Sequence, residues 1–219
     1  MYSHKITKLI KEKLYLEGSD ITIKTFPIIA LEMLRDIFDI NLNAILIDFG
    51  PEITEIILIK NSYIEEISTF NKGRNIFVKR VASVLNIEFE EAESMLKMHK
   101  SKTLNTITET KITSIIEEAK KDWGEGFDKI LKSIEKKHFL PKNIFLIAQN
   151  PILDISSHKF TKIHEINPQS LIHKLSEPKE EENLENSKLK NYNVHILLEM
   201  LFLKKHYTSL NTYNLRKNN

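Results

Sequence analysis

The chain has 219 residues, 32 of them basic and 30 acidic, for a formal net charge of +2 at pH 7. That near-balance, spread along the chain, leaves no electrostatic footprint for nucleic acid. Cysteine is absent, which excludes disulfides and thiolate chemistry and suits a reducing, cytoplasmic setting. The first residues have no continuous apolar core of the signal-peptide kind, and no apolar run approaches the ~20 residues of a membrane span. Hydrophobic residues make up 41% and charged residues 28%, as in a soluble globular protein. Five glycines limit any phosphate cradle built from bare backbone.

Residues 4–16 place Ile6, Leu9, Ile10 and Leu14 at helical spacing among lysines, with Gly18 as a C-cap. Ile21 to Phe26 alternates like a strand. Pro27 then opens a helix from Ile28 to Phe38, where its missing N–H does no harm. Ala44 to Ile47 is a short apolar run ending at Asp48. The turn Phe49-Gly50-Pro51-Glu52 follows, then a second apolar run, Ile53 to Ile59, the break Lys60-Asn61-Ser62, and a third strand from Tyr63 to Phe70.

A helix is expected from Ile76 to Leu85, and another from Glu90 to Lys97 with acids in its first turn, as the helix dipole favours. Ser101 to Thr106 reads as a loop. A long helix from Glu109 to His138 is expected to be interrupted or bent near Gly124 and Gly126. Asn143 to Ala148 is a buried strand, Gln149-Asn150-Pro151 a turn, and Lys159 to Ile166 an edge strand. Pro168 opens a short helix to about Leu175. Residues 177–190 are charged and poor in apolar side chains, a mobile loop or linker. Val194 to Leu203 is an apolar helix followed by Lys204 and Lys205, and the last residues form a polar tail. The order is a mixed α/β one.

Asp48 is the residue of chemical interest. A carboxylate at the end of a buried strand, beside a glycine, can hold a hydrated cation near a phosphate. It can equally cap the turn by accepting backbone N–H groups.

The order of strand, Asp-x-Gly turn, two strands, two helices, a long helix and a strand resembles the second half of the actin-like ATPase fold. Within that superfamily it is similar to the FtsA family of cell division and the PilM family of type IV pilus assembly. Those families carry a phosphate hairpin of the type Asp-Ile-Gly-Gly-Gly-Thr-Thr-Asp. The aligned residues here are Asp48-Phe49-Gly50-Pro51-Glu52-Ile53-Thr54-Glu55. The families continue with a Gly-Gly, a helix, and a phrase like Phe-Glu-Glu-Ala-Glu. The counterparts here are Lys72-Gly73, the helix Ile76 to Leu85, and Phe89-Glu90-Glu91-Ala92-Glu93. The likeness covers residues 5–155, and more faintly 156–205.

The resemblance implies a mixed sheet with flanking helices, half of an actin-like, ribonuclease H-like fold. It implies ATP and Mg as ligands, with Asp48, Gly50, Thr54, Gly73 and Glu93 as binding residues and Asp48 facing the metal. No catalytic residue is assigned. It divides the chain into a remnant of the first half (1–43), the second half (44–175), a charged linker (176–191), a C-terminal helix (192–207) and a disordered tail (208–219). The chain then begins part-way through the first half, without that half's phosphate loop.

The hairpin also departs from the family pattern. Each missing glycine places a side chain where phosphate would lie. Pro51 removes an N–H, and Glu52 brings a negative charge toward a polyphosphate, a repulsion of roughly 1–4 kcal/mol at ~4 Å. The adenosine loop, Gly-Gly in the family, reads Ala148-Gln149-Asn150. The nucleoside clasp Glu-x-x-Lys reads Glu93-Ser94-Met95-Leu96, with Lys97 one place late, about 100° around the helix.

Three further features have bland readings. The helix from Val194 could lie on a membrane, but a helix apolar nearly all round is a core helix. His158, His164 and His173 match no metal spacing and read as surface residues. Trp123 reads as packing before partner contact. The expected function is a cytoplasmic scaffold or interaction module with a degraded nucleotide site, in division or pilus assembly. It would work with a protein partner or as a homo-oligomer, at the inner face of the membrane through that partner or the last helix. The alternatives are an ATPase completed by a separately encoded half and the remnant of a truncated gene.

Overall fold

The computed structural model describes residues 24–38, 43–148, 162–169, 171 and 193–217, with residues 207–217 as backbone only. The helix expected over 4–16, the turn at 149–151, the charged stretch 177–190, His158 and His173 lie outside the described residues. Ten elements follow in order: α1 (Phe26–Phe38), β1 (Ala44–Phe49), β2 (Thr54–Lys60), β3 (Tyr63–Phe70), α2 (Asn75–Leu85), α3 (Phe89–Lys100), α4 (Thr106–Glu135), β4 (Asn143–Ile147), β5 (Lys162–Ile166) and α5 (Val194–Lys217).

The strands form one mixed sheet in the order β3-β2-β1-β4-β5. β1 pairs antiparallel with β2, and β2 with β3; β1 pairs parallel with β4, and β4 with β5. The β2–β3 turn is two residues, Asn61 and Ser62, both at positive φ (50° and 64°). That geometry matches the strand twist and suits asparagine at its first position. The Asn61 N–H is also held by the Asn43 side chain, at 2.9 Å.

β1 lies at the centre, so both of its faces are buried and its apolar run is continuous rather than alternating. Ile45, Ile47 and Phe49 point to one face with Ile56, Leu58, Ile144 and Leu146; α2, α3 and α4 cover it. Ala44 and Leu46 point to the other with Ile57, Ile59, Phe145 and Ile147; α1 and α5 cover that one. Each helix contributes residues three or four apart, such as Ile112, Ile115, Ala119, Trp123, Phe127, Leu131 and Ile134 of α4.

Three expectations change. Phe26 does not end a strand; it opens α1, and the Thr25 carbonyl accepts the N–H groups of Ile28 and Ile29 at 3.0 and 3.2 Å. Pro27 sits in the first turn, where no donor is needed. α4 is not interrupted at its glycines but runs unbroken for 30 residues. Its buried stripe holds it, and Asn105 caps its start by accepting the Thr108 N–H at 2.9 Å. Gly126 is there for packing: a Cβ would lie 2.8 Å from the Phe70 ring. α5 runs to Lys217, through most of the stretch expected as a tail.

α5 docks through Val194, Leu197, Leu198 and Phe202, while Ile196, Met200 and Leu203 are about half exposed. Among the described residues no helix is long and apolar enough to cross a membrane.

The two helix glycines make opposite predictions. A Cβ at Gly124 meets nothing within 4 Å. Gly124→Ala is expected to stabilise the chain by about 0.5–1 kcal/mol, the helix-interior advantage of alanine. Gly126→Ala must displace the Phe70 ring and is expected to cost about 1–3 kcal/mol. Urea unfolding of both variants checks the pair.

Candidate functional site

The hairpin between β1 and β2 sits at the end of the sheet. Its register pairs Asp48 with Glu55 and Phe49 with Thr54. Alternation along β1 therefore turns Asp48 toward the face covered by α1 and α5, and turns Thr54 toward the face covered by α4. The two residues that resemblance assigns to one ligand are on opposite sides of the sheet.

Asp48 has a partner that sequence reading missed. Its Oδ1 lies 2.7 Å from Nε2 of His195, in the first turn of α5. The other ring nitrogen of His195 lies 3.1 Å from Oδ1 of Asn193, which also accepts the His195 backbone N–H at 2.9 Å. The Phe26 ring packs against the imidazole at a centroid distance of 4.6 Å. Asp48 is thus neither a free acid nor a simple turn cap; it holds the C-terminal helix to the hairpin. Burial, together with the Asp48 charge, pushes the neighbouring Glu55 carboxyl above the usual carboxylate range.

Thr54 is fully buried. Its hydroxyl donates to the Lys72 carbonyl at 2.6 Å and accepts from the Trp123 indole N–H at 2.9 Å. Trp123 stacks on Phe127, with centroids 5.0 Å apart, and meets Phe49 edge-on at 5.7 Å. Lys72 also places its ammonium 2.7 Å from a carboxylate oxygen of Asp122, the residue before Trp123.

The turn is pressed against the start of α2. The Arg74 and Asn75 N–H groups donate to the Gly50 and Pro51 carbonyls, each at 2.9 Å. Gly73 makes this approach possible: a Cβ there would strike the Gly50 carbonyl oxygen and lie 2.6 Å from that of Pro51. Glu52 folds over the same helix start. It accepts from Asn75 at 2.8 Å and pairs with Lys79. Lys79 first, then Asn75, holds its carboxyl below the usual range. An acid at this helix N-terminus also meets the favourable end of the dipole.

Glu93 is on α3, away from this joint in sequence, and pairs at 3.5 Å with Lys97 one turn along. Glu90, Glu91 and Glu93 are all exposed. His164, expected at the surface, is instead part-buried and stacks on Phe145 at 4.7 Å, with Phe38 edge-on at 5.3 Å. Among the described residues, no group of three or more His, Asp or Glu side chains is placed to hold a metal ion. The structure therefore brings Gly50, Gly73, Glu52 and the start of α2 into one joint. It sets Asp48 and Thr54 apart and leaves Glu93 on its own helix.

No family model matches the sequence, and no curated protein matches it. Solved structures do. PilM in the PilM-PilN type IV pilus biogenesis complex superposes with a TM-score of 0.63 at 13% identity, over 84% of this chain and 52% of that one. The ethanolamine utilization protein EutJ from Carboxydothermus hydrogenoformans covers 52% of this chain and 38% of its own at 22% identity, with a TM-score of 0.38. The activator of 2-hydroxyisocaproyl-CoA dehydratase from Clostridium difficile covers 68% and 63% at 13% identity, with a TM-score of 0.36. The last two superpositions are too loose to bear argument. The chain spans about half the length of the PilM chain it matches. Its five-stranded mixed sheet and flanking helices are part of an actin-like ATPase fold resembling PilM.

Proposed function

We propose that this chain is an actin-like module acting as a scaffold or docking domain for other proteins, its phosphate hairpin turned to structural use. The observation that carries the reading is where the hairpin's polar groups go. The Thr54 hydroxyl is spent on Trp123 and Lys72. The Gly50 and Pro51 carbonyls are spent on α2, and Gly73 is closed against them. Asp48 is spent on His195. Pro51 offers no N–H at all. A Mg-nucleotide needs free backbone donors and an open carboxylate at these places, and this set of groups does not fit one.

Protein docking is supported by the likeness to PilM, whose matched chain comes from a PilM-PilN complex. By that likeness the process served is type IV pilus assembly; by the FtsA resemblance of the sequence it is cell division. Either would place the chain in the cytoplasm, at the inner face of the membrane through its partner or through α5. A second reading, an ATP-binding half completed by a separate chain, is favoured by Asp48 and Gly50 standing together at the end of β1. It requires a ligand to share the Asp48 carboxylate with His195 or to displace it.

Two measurements test this. Calorimetric titration with Mg-ATP is expected to show no saturable heat up to about 1 mM, the weak limit of specific binding. Micromolar binding lost in Asp48→Ala would sink the scaffold reading. Thr54→Val, which leaves the buried indole N–H and the Lys72 carbonyl without partners, is expected to cost about 1–3 kcal/mol of stability. Trp123→Phe in the same background should then add less than it costs alone, because the two residues share one bond. A Thr54→Val protein of unchanged stability that has lost nucleotide binding would make the hydroxyl a ligand instead.

A further inference from the structure

We propose that two copies of this chain join through α5, their helices running parallel and in register as a short two-stranded coiled coil. α5 has two apolar faces. Val194, Leu197, Leu198 and Phe202 are buried in the core that α5 shares with α1 and the sheet. Ile196, Met200 and Leu203 are 49%, 46% and 63% exposed. At about 100° per residue, these three line one stripe, and Leu198 lies on the far side of the helix from it. A helix that only had to seat on its own core would need one apolar face. The stripe continues past the core residues. α5 runs to Lys217, and Tyr207, Leu210 and Asn214 keep the same alternation of spacings along it. That spacing is the heptad of a coiled-coil seam, with Ile196, Leu203 and Leu210 at d and Met200, Tyr207 and Asn214 at a.

The flanks of the stripe choose the occupant. Glu199 is at g on one flank, and Lys204 is at e on the other, in the next heptad; both are exposed. In a parallel pair in register, g of one helix faces the following e of its neighbour. Glu199 then meets Lys204 of the second copy, and the two-fold axis repeats the ion pair on the other flank. In an antiparallel pair g faces g and e faces e, which leaves Glu199 and Lys204 on opposite sides of the junction. The position of Asn214 agrees. A polar asparagine at one a position fixes register and strand number at a cost in stability, and it meets its own copy when the helices are parallel. A membrane surface fits less well. Interfacial helices line their polar face with basic residues, and here an acid stands on one flank. The fold also leaves room, because each core lies behind its own α5, so the two domains stand on opposite sides of the coil. The surface is isologous, and the assembly closes at two copies. This contact uses none of the hairpin's groups and does not rest on the scaffold reading.

Sedimentation over a range of concentrations tests the idea on the full chain. A coil this short is marginal, so a dimer with a Kd of about 10–100 μM is expected. Leu203→Lys sets ammonium groups against each other at the seam and is expected to weaken the dimer at least ~10-fold. The control Val84→Lys, on the exposed side of α2, leaves it unchanged; circular dichroism confirms that both variants fold. Glu199→Lys alone and Lys204→Glu alone each set like charges face to face, and each is expected to weaken self-association roughly 3- to 10-fold. An equimolar mixture of those two variants restores opposite charges on both flanks and is expected to associate more tightly than either alone. The chain has no cysteine of its own, so a single introduced one reports a single contact. Ile196→Cys and Leu203→Cys are both expected to form disulfide-linked dimers under mild oxidation, and Val84→Cys none. An antiparallel pair could cross-link through only one of the first two. A protein that stays monomeric to about 500 μM, well above the expected Kd, overturns the proposal, including one that binds anionic vesicles instead. A dimer that survives Leu203→Lys overturns it too, as does a mixture of the charge variants that associates no better than its parts.

Discussion

The hydrogen bond from the Trp123 indole to the Thr54 hydroxyl, 2.9 Å long and fully buried, fixes the relation between the long helix and the hairpin. The two residues are far apart in sequence and come from elements with no shared turn or cap. A threonine on a buried strand face would be a liability if its hydroxyl were unmet. Here the oxygen is satisfied twice, by the indole and by the Lys72 carbonyl. That second bond ties the segment between β3 and α2 to the same point. Helix α4, strand β2 and the entry to α2 are thus pinned by one oxygen atom, and the stacked rings of Trp123 and Phe127 exclude water from it. A buried bond of this kind adds modestly to stability, but its partial loss is costly, and so it specifies one arrangement.

From that pin the turn inherits its shape. With Lys72 fixed, Gly73 arrives against Gly50 and Pro51, and only a residue without a Cβ fits there. The first N–H groups of α2 would otherwise lack partners within the helix. They find them in the two turn carbonyls, and Glu52 supplies the charge that the helix start favours. Pro51 costs the turn nothing, because the group it uses is its carbonyl. The residues that look like damage to a phosphate site read, in place, as the parts of a helix cap.

The sequence was most informative where one physical period dominated. The three-stranded meander from Ala44 to Phe70 was legible because central strands buried on both faces leave unbroken apolar runs, and Asn61-Ser62 marks a tight turn. The long helix was legible from its stripe, and its continuity was not, because propensity assigns glycine a cost without knowing that Phe70 needs the space. Phe26 was misplaced for a similar reason. Two residues of alternation weigh less than a proline that prefers the first turn. The site was harder. Asp48 stood out by its place at the end of a buried run, Gly50, Thr54 and Gly73 were found by resemblance, and strand alternation alone sets Asp48 and Thr54 on opposite faces. Trp123 was read as packing, which its burial bears out, but neither its bond to Thr54 nor the pairing of His195 with Asp48 could be read. Neither lies within a turn or a heptad of the residue it touches, and a histidine at the start of an apolar stretch carries no label for the acid it will meet. Its one legible trait was being polar at the start of a helix otherwise built to be buried.

That histidine sets a condition on any chemistry at the hairpin. A cation or ligand that takes Oδ1 of Asp48 must displace His195, which already holds that oxygen. Hydrogen bonds to charged groups are worth about 1.5–3 kcal/mol, which lowers the apparent affinity of a competitor roughly 10- to 100-fold. The loss would not stop at one bond. His195 shares the first turn of α5 with Val194, and Leu197 and Leu198 follow directly, all three inside the second core. Moving the imidazole away therefore strains the seat of the whole helix, along with the Phe26 contact that links it to α1. The hairpin and the C-terminal helix are thermodynamically coupled. A ligand that takes Oδ1 of Asp48 from His195 loosens α5, and whatever holds α5 in place opposes that ligand to the same extent.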